Sequence, residues 1–249
     1  MYLKAERFPV RHAFSTREGG VSEGPYSSLN LGRSVGDDLA RVEENGRRFA
    51  SALEISAGQL VTASQVHGDR ILEIDSATPG ETMPATVGEA DALVTRSKGV
   101  GLAVRTADCV PVLLYAPDVA AVAAVHAGWR SAALSIARKA AERLQALYGA
   151  DPKRMLAAIG PSIRRCCYEV GEDVAAQFEA LFGSGVVDRS GARPHLDVAE
   201  ASRLALLEAG LRPEAIEVLP CCTACDAGRF FSHRRDRGVT GRHLACVVL

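Results

Sequence analysis

Cys109-Val-Pro-Val-Leu-Leu-Tyr-Ala-Pro-Asp-Val-Ala-Ala-Val-Ala-Ala-Val-His126 holds two apolar, strand-like runs around Pro117-Asp118, a turn dipeptide. If Pro117-Asp118 is the two-residue loop of a hairpin, residue 116 pairs with 119, and Cys109 falls opposite His126. Their Cβ atoms would then lie about 5 Å apart on one face. Proline at the first loop position favours type I geometry, whereas tight hairpins use the primed turns. A one-residue slip would place the two side chains on opposite faces. A thiol beside an imidazole supports two chemistries: a cysteine nucleophile with its base, or a zinc site with thiolate and imidazole ligands.

Further strand-like segments flank the hairpin at 59–66, 69–75, 90–95 and 100–105 before it, and at 155–159, 216–219 and 244–249 after it. Helical spacing appears at Leu39, Val42, Phe49 and Leu53, capped by Asp37 or Asp38, and interrupted at some cost by Gly46. A long alanine-rich helix is expected at 131–148, stopped by Gly149 and Pro152, with others at 171–182 and 197–209. Residues 8–35 read as loops around a short strand, and 76–89 as a looser segment. Strands and long helices without regular βα alternation predict an α+β fold. We expect a single domain over 1–249, with mixed β-sheets packed against helices. His67, like His126, falls at a strand end. His126 also lies just upstream of a helix N-terminus, where free N–H groups favour an anion.

The 249 residues are 47% hydrophobic, enough for a sizeable core, and 29 basic against 30 acidic residues leave a net charge of −1. Nothing in that balance points to nucleic acid or to an anionic membrane, so any bound anion must be held locally. The N-terminus has an acidic residue where a secretory apolar core would sit. The most apolar stretch, residues 110–127, is broken by Pro111, Pro117 and Asp118. A cytoplasmic protein with reduced thiols is expected, since seven cysteines is an odd number. Cys166-Cys167 and Cys221-Cys222 are adjacent pairs, and Cys222-Thr-Ala-Cys225 is a CxxC without a second one. These read as small buried hydrophobes rather than as a metal or redox site.

Gln65-Val-His-Gly68, Thr106-Ala-Asp-Cys-Val-Pro111 and His126-Ala-Gly-Trp-Arg130 together resemble the YfiH family, once called polyphenol oxidase or laccase-like and now described as purine nucleoside phosphorylases. Ser28-Leu-Asn-Leu-Gly32, Glu44-Asn45 with Arg48, Gly160-Pro161, Tyr168-Glu-Val-Gly171, Cys222-Thr223, Phe230-Phe-Ser-His-Arg-Arg-Asp236 and Thr240-Gly-Arg242 extend the resemblance, in family order, over essentially the whole chain. Departures are Ser131 after the HAGWR arginine, Gly46 within a usually basic run, and His233 where tyrosine is common.

The resemblance implies an α/β/β/α layered sandwich for the fold. It implies a zinc ion on His67, Cys109 and His126 with an open fourth position, a site that copper would occupy only as a substitute. It implies phosphorolysis of adenosine, inosine or methylthioadenosine to ribose 1-phosphate and base, with adenosine deamination as a second activity. The expected partners are thus a purine nucleoside and phosphate, for a monomer or weak homodimer. Within that frame Arg48, beside Asn45 on one helix, is the leading phosphate contact. Phe231 is a candidate base-stacking surface, Arg234 and Arg242 are candidates for phosphate or ribose oxygens, and Glu169 and Asn30 for ribose hydroxyls. Asp108 is placed to orient an imidazole. Two rival readings stand. A copper-dependent polyphenol oxidase with four coppers would need more than six scattered histidines. A cysteine hydrolase would use Cys109 as nucleophile and His126 as base, for instance as an amidase editing peptidoglycan nucleotide precursors.

Overall fold

Val110–Ala116 and Ala121–Ala127 pair antiparallel in a computed structural model that describes residues 1–75 and 85–249. Ala116 faces Ala121 and Pro111 faces His126, so the turn has four residues rather than two, with Ala120 in the left-handed region. The tight-turn register is therefore corrected: Cys109 is not directly opposite His126. Because the displacement is an even number of positions and side chains alternate with period two, the correction keeps both residues on one face. The longer turn follows from Pro117, whose fixed φ does not fit a primed two-residue loop.

This hairpin is the centre of a six-stranded sheet ordered Ile216–Val218, Leu156–Ile159, Val110–Ala116, Ala121–Ala127, Ala92–Thr95, Ile71–Glu73. A second six-stranded sheet runs Tyr2–Leu3, Arg11–Ser15, His243–Val248, Gly101–Thr106, Leu60–Ser64, Ala85–Glu89. Both are mixed. Leu60–Ser64 runs parallel to its two neighbours, and Ile216–Val218 and Ile71–Glu73 run parallel to theirs. Strands apolar on both faces imply cover on both faces. Leu93, Leu113, Val122 and Ala124 pack against Phe14, Leu102, Val104 and Val247 between the sheets. Val112, Leu114, Ala123 and Val125 turn outward to helices.

Among the described residues five α-helices supply the cover. α1 (Leu39–Ala52), with Asp38 as its cap, lays Phe49 and Ala50 on the outer face of the second sheet beside Leu244 and Cys246. α2 (Trp129–Ala133), α3 (Ile136–Tyr148), α4 (Glu172–Phe182) and α5 (Val198–Glu208) lie on the first-sheet side, where Ile136, Ala140, Phe178 and Leu206 join that core. The layering is thus helix, sheet, sheet, helices, as expected. The predicted 131–148 helix divides at Ser135, which has φ 56°. Alanine-rich sequence favours helix on both sides and hides the break. The His126 end therefore leads into a five-residue helix, with too few turns for a strong macrodipole. Ala85–Glu89 is an edge strand inside the segment read as loose, and its exposed, non-alternating residues gave no strand signal. Residues 76–84 of that segment lie outside the described residues. No described helix is long and apolar enough to cross a membrane.

The chain crosses from the second sheet to the first at two places that matter. One crossing, from Leu60–Ser64 to Ile71–Glu73, carries His67. The other, from Gly101–Thr106 to Val110–Ala116, carries Cys109.

Candidate active site

His67, Cys109 and His126 converge, with their ligand atoms all within 4.8 Å of one another. His67 Nε2 lies 3.8 Å from Cys109 Sγ, and the two imidazoles meet edge to face with centroids 4.9 Å apart. The fully buried carboxylate of Asp91, at the head of strand Ala92–Thr95, holds this arrangement together. It accepts hydrogen bonds from the backbone N–H groups of Val66, His67 and Gly68, at 3.2, 3.0 and 2.7 Å. It also accepts one from His126 Nδ1 at 2.8 Å. Those bonds fold the 66–68 turn, put His67 in a left-handed conformation with φ 60°, and leave His126 Nε2 directed at the thiol. Gly128 makes room: a Cβ there would lie 2.6 Å from His67 Cδ2 and 3.4 Å from Cys109 Sγ.

Burial alone would push the Cys109 thiol up, but the imidazoles of His126 and His67 outweigh it and bring it down to about 6. Burial likewise pushes His126 down, yet the Cys109 sulfur and Asp91 win and raise it to about 9. The pair therefore favours thiolate and imidazolium near neutral pH. A thiolate and two imidazoles at these separations, one imidazole fixed through its far nitrogen by a carboxylate, are a donor set suited to zinc. The residues fit the ion.

The triad lies in a cleft of about 790 Å³, within the usual range of small-molecule sites. Arg33, Arg105, Arg234 and Arg242 line it, together with the aromatic rings of Trp129 and Tyr168. Arg105 is mostly sequestered, and its Nε is buried with no hydrogen-bond partner among the described residues. Burial, with Arg33 nearby, lowers it to about 10. Asp108, a carboxylate in the lining, is committed elsewhere. It accepts from Thr223 Oγ1 at 2.6 Å, Ser232 Oγ at 3.0 Å and the Arg234 backbone N–H at 2.7 Å. Its expected bond to an imidazole is thus corrected: Asp91 orients His126, and Asp108 anchors the loop bearing Arg234.

Residues 11–249 match the family described as multi-copper polyphenol oxidoreductase laccase. The chain belongs to this family. Among curated members it is 44% identical to the purine nucleoside phosphorylase of Deinococcus radiodurans, over 99% of this chain and 92% of that protein. It is 38% identical to the purine nucleoside phosphorylase YlmD of Geobacillus stearothermophilus, over 94% of this chain and 88% of that protein. The crystal structure of YlmD from Geobacillus stearothermophilus superposes with a TM-score of 0.91 at 36% identity, covering 99% and 95% of the two chains. That of the Bacillus licheniformis hypothetical protein YfiH gives 0.91 at 35%, covering 98% and 94%. The resemblance read from the motifs is the correct one.

Against the family's multi-copper description, His67 and His126 are the two histidines brought together, and His233 lines the cleft beside them. His12 and His243 are buried in the second sheet. Of the expected substrate contacts, Arg234 and Arg242 line the cleft and the others do not. Arg48 bonds Glu44 at 2.8 Å and the Gly19 carbonyl at 3.2 Å. Asn45 is wholly buried and ties α1 to the loop through Val21, Ser28 and Asn30. Asn30 is buried too, accepting from the Gly32 and Arg242 backbones, so it shapes the arginine wall without touching the cleft. Phe231 is fully buried, with Arg17 over its ring at 4.7 Å and His243 against it. Glu169 pairs with Arg193 at 3.0 Å on the surface. Trp129 and Tyr168 supply the aromatic lining instead, and Arg33 and Arg105 the further positive charge. These four stood inside or beside the quoted motifs without being singled out.

Proposed function

We propose that the chain is a purine nucleoside phosphorylase with a zinc ion held by His67, Cys109 and His126. The observation that carries this reading is the arginine wall facing the triad. Among the described residues Arg105 holds a buried, unpartnered N–H and the lining carboxylate of Asp108 is already spent on three donors, so an anion is what the described lining lacks. Phosphate fits that need through charge-assisted bonds to Arg105 and Arg242, with Arg33 alongside. Trp129 and Tyr168 offer flat apolar surface to a purine. In the reaction an oxygen of hydrogen phosphate bonds to C1′ of the ribose as the C1′–N9 bond breaks, and the phosphate proton ends on the base. The arginines lower the repulsion around the incoming phosphate and fix its line of approach. When bound, zinc supplies a Lewis acid beside the reacting groups.

Incubating adenosine with and without phosphate tests the reading. Ribose 1-phosphate that forms only with phosphate, falls at least tenfold in Arg105→Ala and vanishes in Cys109→Ala is the expected result. Undiminished product in Cys109→Ala overturns it. Inosine formed without phosphate would mark deamination as the second activity.

One geometric observation favours a rival. Cys109, His126 and Asp91 form a nucleophile, base and orienting carboxylate in series, the arrangement of a cysteine hydrolase. Stoichiometric zinc that shields Cys109 from alkylation excludes that role, whereas a reactive thiol in the protein as purified supports it.

A further inference from the structure

Cys166, Cys167, Cys222 and Cys225 come from two turns more than fifty residues apart, yet every one of their sulfurs lies within 4.8 Å of the others. Cys225 Sγ is 3.3 Å from that of Cys167 and 3.5 Å from that of Cys166. Sulfurs at the corners of a tetrahedron with Zn–S bonds of about 2.3 Å stand about 3.8 Å apart. The two named separations lie a few tenths of an ångström inside that value and all the others within 4.8 Å, a compass that one tetrathiolate ion can span. The sequence-based expectation of small buried hydrophobes is corrected here, because Cys166 and Cys225 are exposed and Cys167 and Cys222 half-buried. Exposed thiols gain nothing by clustering for apolar burial. The pattern is a CxxC turn completed by a second pair that adjacent positions conceal, since the 164–168 turn brings both Cys166 and Cys167 to one side.

We propose that these four cysteines bind a second zinc ion, separate from the cleft, that clips the 164–168 turn to the 221–226 turn. Four thiolates fill a tetrahedral shell and leave no open position, so the role is structural. What the clip holds is the back of the cleft. Tyr168 follows Cys167 directly and lines the cleft, and Thr223 follows Cys222 and donates to Asp108. Ser162 and Cys222 are bridged, with the Thr223 N–H on the Ser162 carbonyl at 3.0 Å.

The test uses the full chain with zinc as the probe. Metal analysis after zinc loading and desalting should give about two equivalents in the wild type and about one in Cys109→Ala, where the cleft site is disabled. Iodoacetamide followed by peptide mapping should label the four cysteines in chelator-treated protein and spare them in zinc-loaded protein. Cobalt(II) in Cys109→Ala should produce the intense thiolate-to-metal absorption of a tetrahedral tetrathiolate, lost in Cys166→Ser/Cys225→Ser. Zinc-free Cys109→Ala, or full labelling of the quartet in zinc-loaded wild type, overturns the proposal. The wild-type labelling result holds even where the double variant folds poorly.

Discussion

A carboxylate sealed from solvent is costly unless its lone pairs are engaged, and Asp91 engages four donors from two distant places in the chain. Replacing it with asparagine keeps the shape but puts an amide N–H among donors. Asp91→Asn is expected to weaken zinc binding by roughly 10–100-fold, the usual cost of losing a carboxylate behind a ligating imidazole, measured by competition with a chromogenic chelator. Wild-type affinity in this variant would mean that His126 is oriented by something else. The three converging residues were legible because each sits in a distinctive motif. Asp91 was not, because it reads locally as a polar start to an apolar strand, and its partners lie 23 to 35 residues away. Phe231 misled for the opposite reason: an aromatic at the head of a run of polar residues gives no sign of which way it faces, and here it faces the core.

At the scale of elements, the strand-to-helix junction His126-Ala-Gly-Trp-Arg130 has tight tolerances. Gly128→Ala inserts a methyl 2.6 Å from His67 Cδ2, too close for any real contact, so the His67 ring must move. A folded protein with at least a tenfold loss of turnover is expected, read from steady-state rates alongside an unchanged far-UV circular dichroism spectrum. Two residues into α2, Ser131 is fully buried and its hydroxyl lacks a partner among the described residues. Ser131→Ala should therefore stabilise the protein by up to about 1 kcal/mol, seen as a higher Tm. A lower Tm would show that the hydroxyl is satisfied in solution. The hairpin shows how far elements can be read from sequence. Strand identity and the shared face of Cys109 and His126 follow from apolar runs and a period of two. The register depends on turn geometry that a proline dipeptide underdetermines.

Across the whole molecule, an α+β mix of strands and helices was readable from apolar runs and helical spacing, the layering came with the family resemblance, and the pairing order came from neither. Neighbours such as His243–Val248 and Gly101–Thr106 are over a hundred residues apart, and no local pattern links them. That distant pairing creates a pH dependence. His243, at the start of its strand, accepts the Phe231 N–H through Nε2 at 2.9 Å, and burial pushes it down to about 3. The unfolded chain takes up a proton near pH 6.5 and the folded one does not. Stability from this group is therefore complete above pH 6.5 and is lost progressively as pH falls toward about 3, at about 1.4 kcal/mol per pH unit. Urea unfolding of wild type and His243→Gln between pH 7 and 4 should show a shallower acid decline in the variant. Parallel declines would assign the acid sensitivity elsewhere.

His67 and Cys109 sit on the two passages by which the chain leaves one sheet for the other, and His126 belongs to the sheet it arrives in. Anything that grips all three side chains spans the seam between the two halves of the sandwich, much as a latch spans a door and its frame. Its affinity would register as resistance of the whole molecule to opening, about 2.7 kcal/mol for a ligand at a hundred times its Kd. Amide hydrogen exchange would then slow in strands of both sheets together, far from the cleft itself.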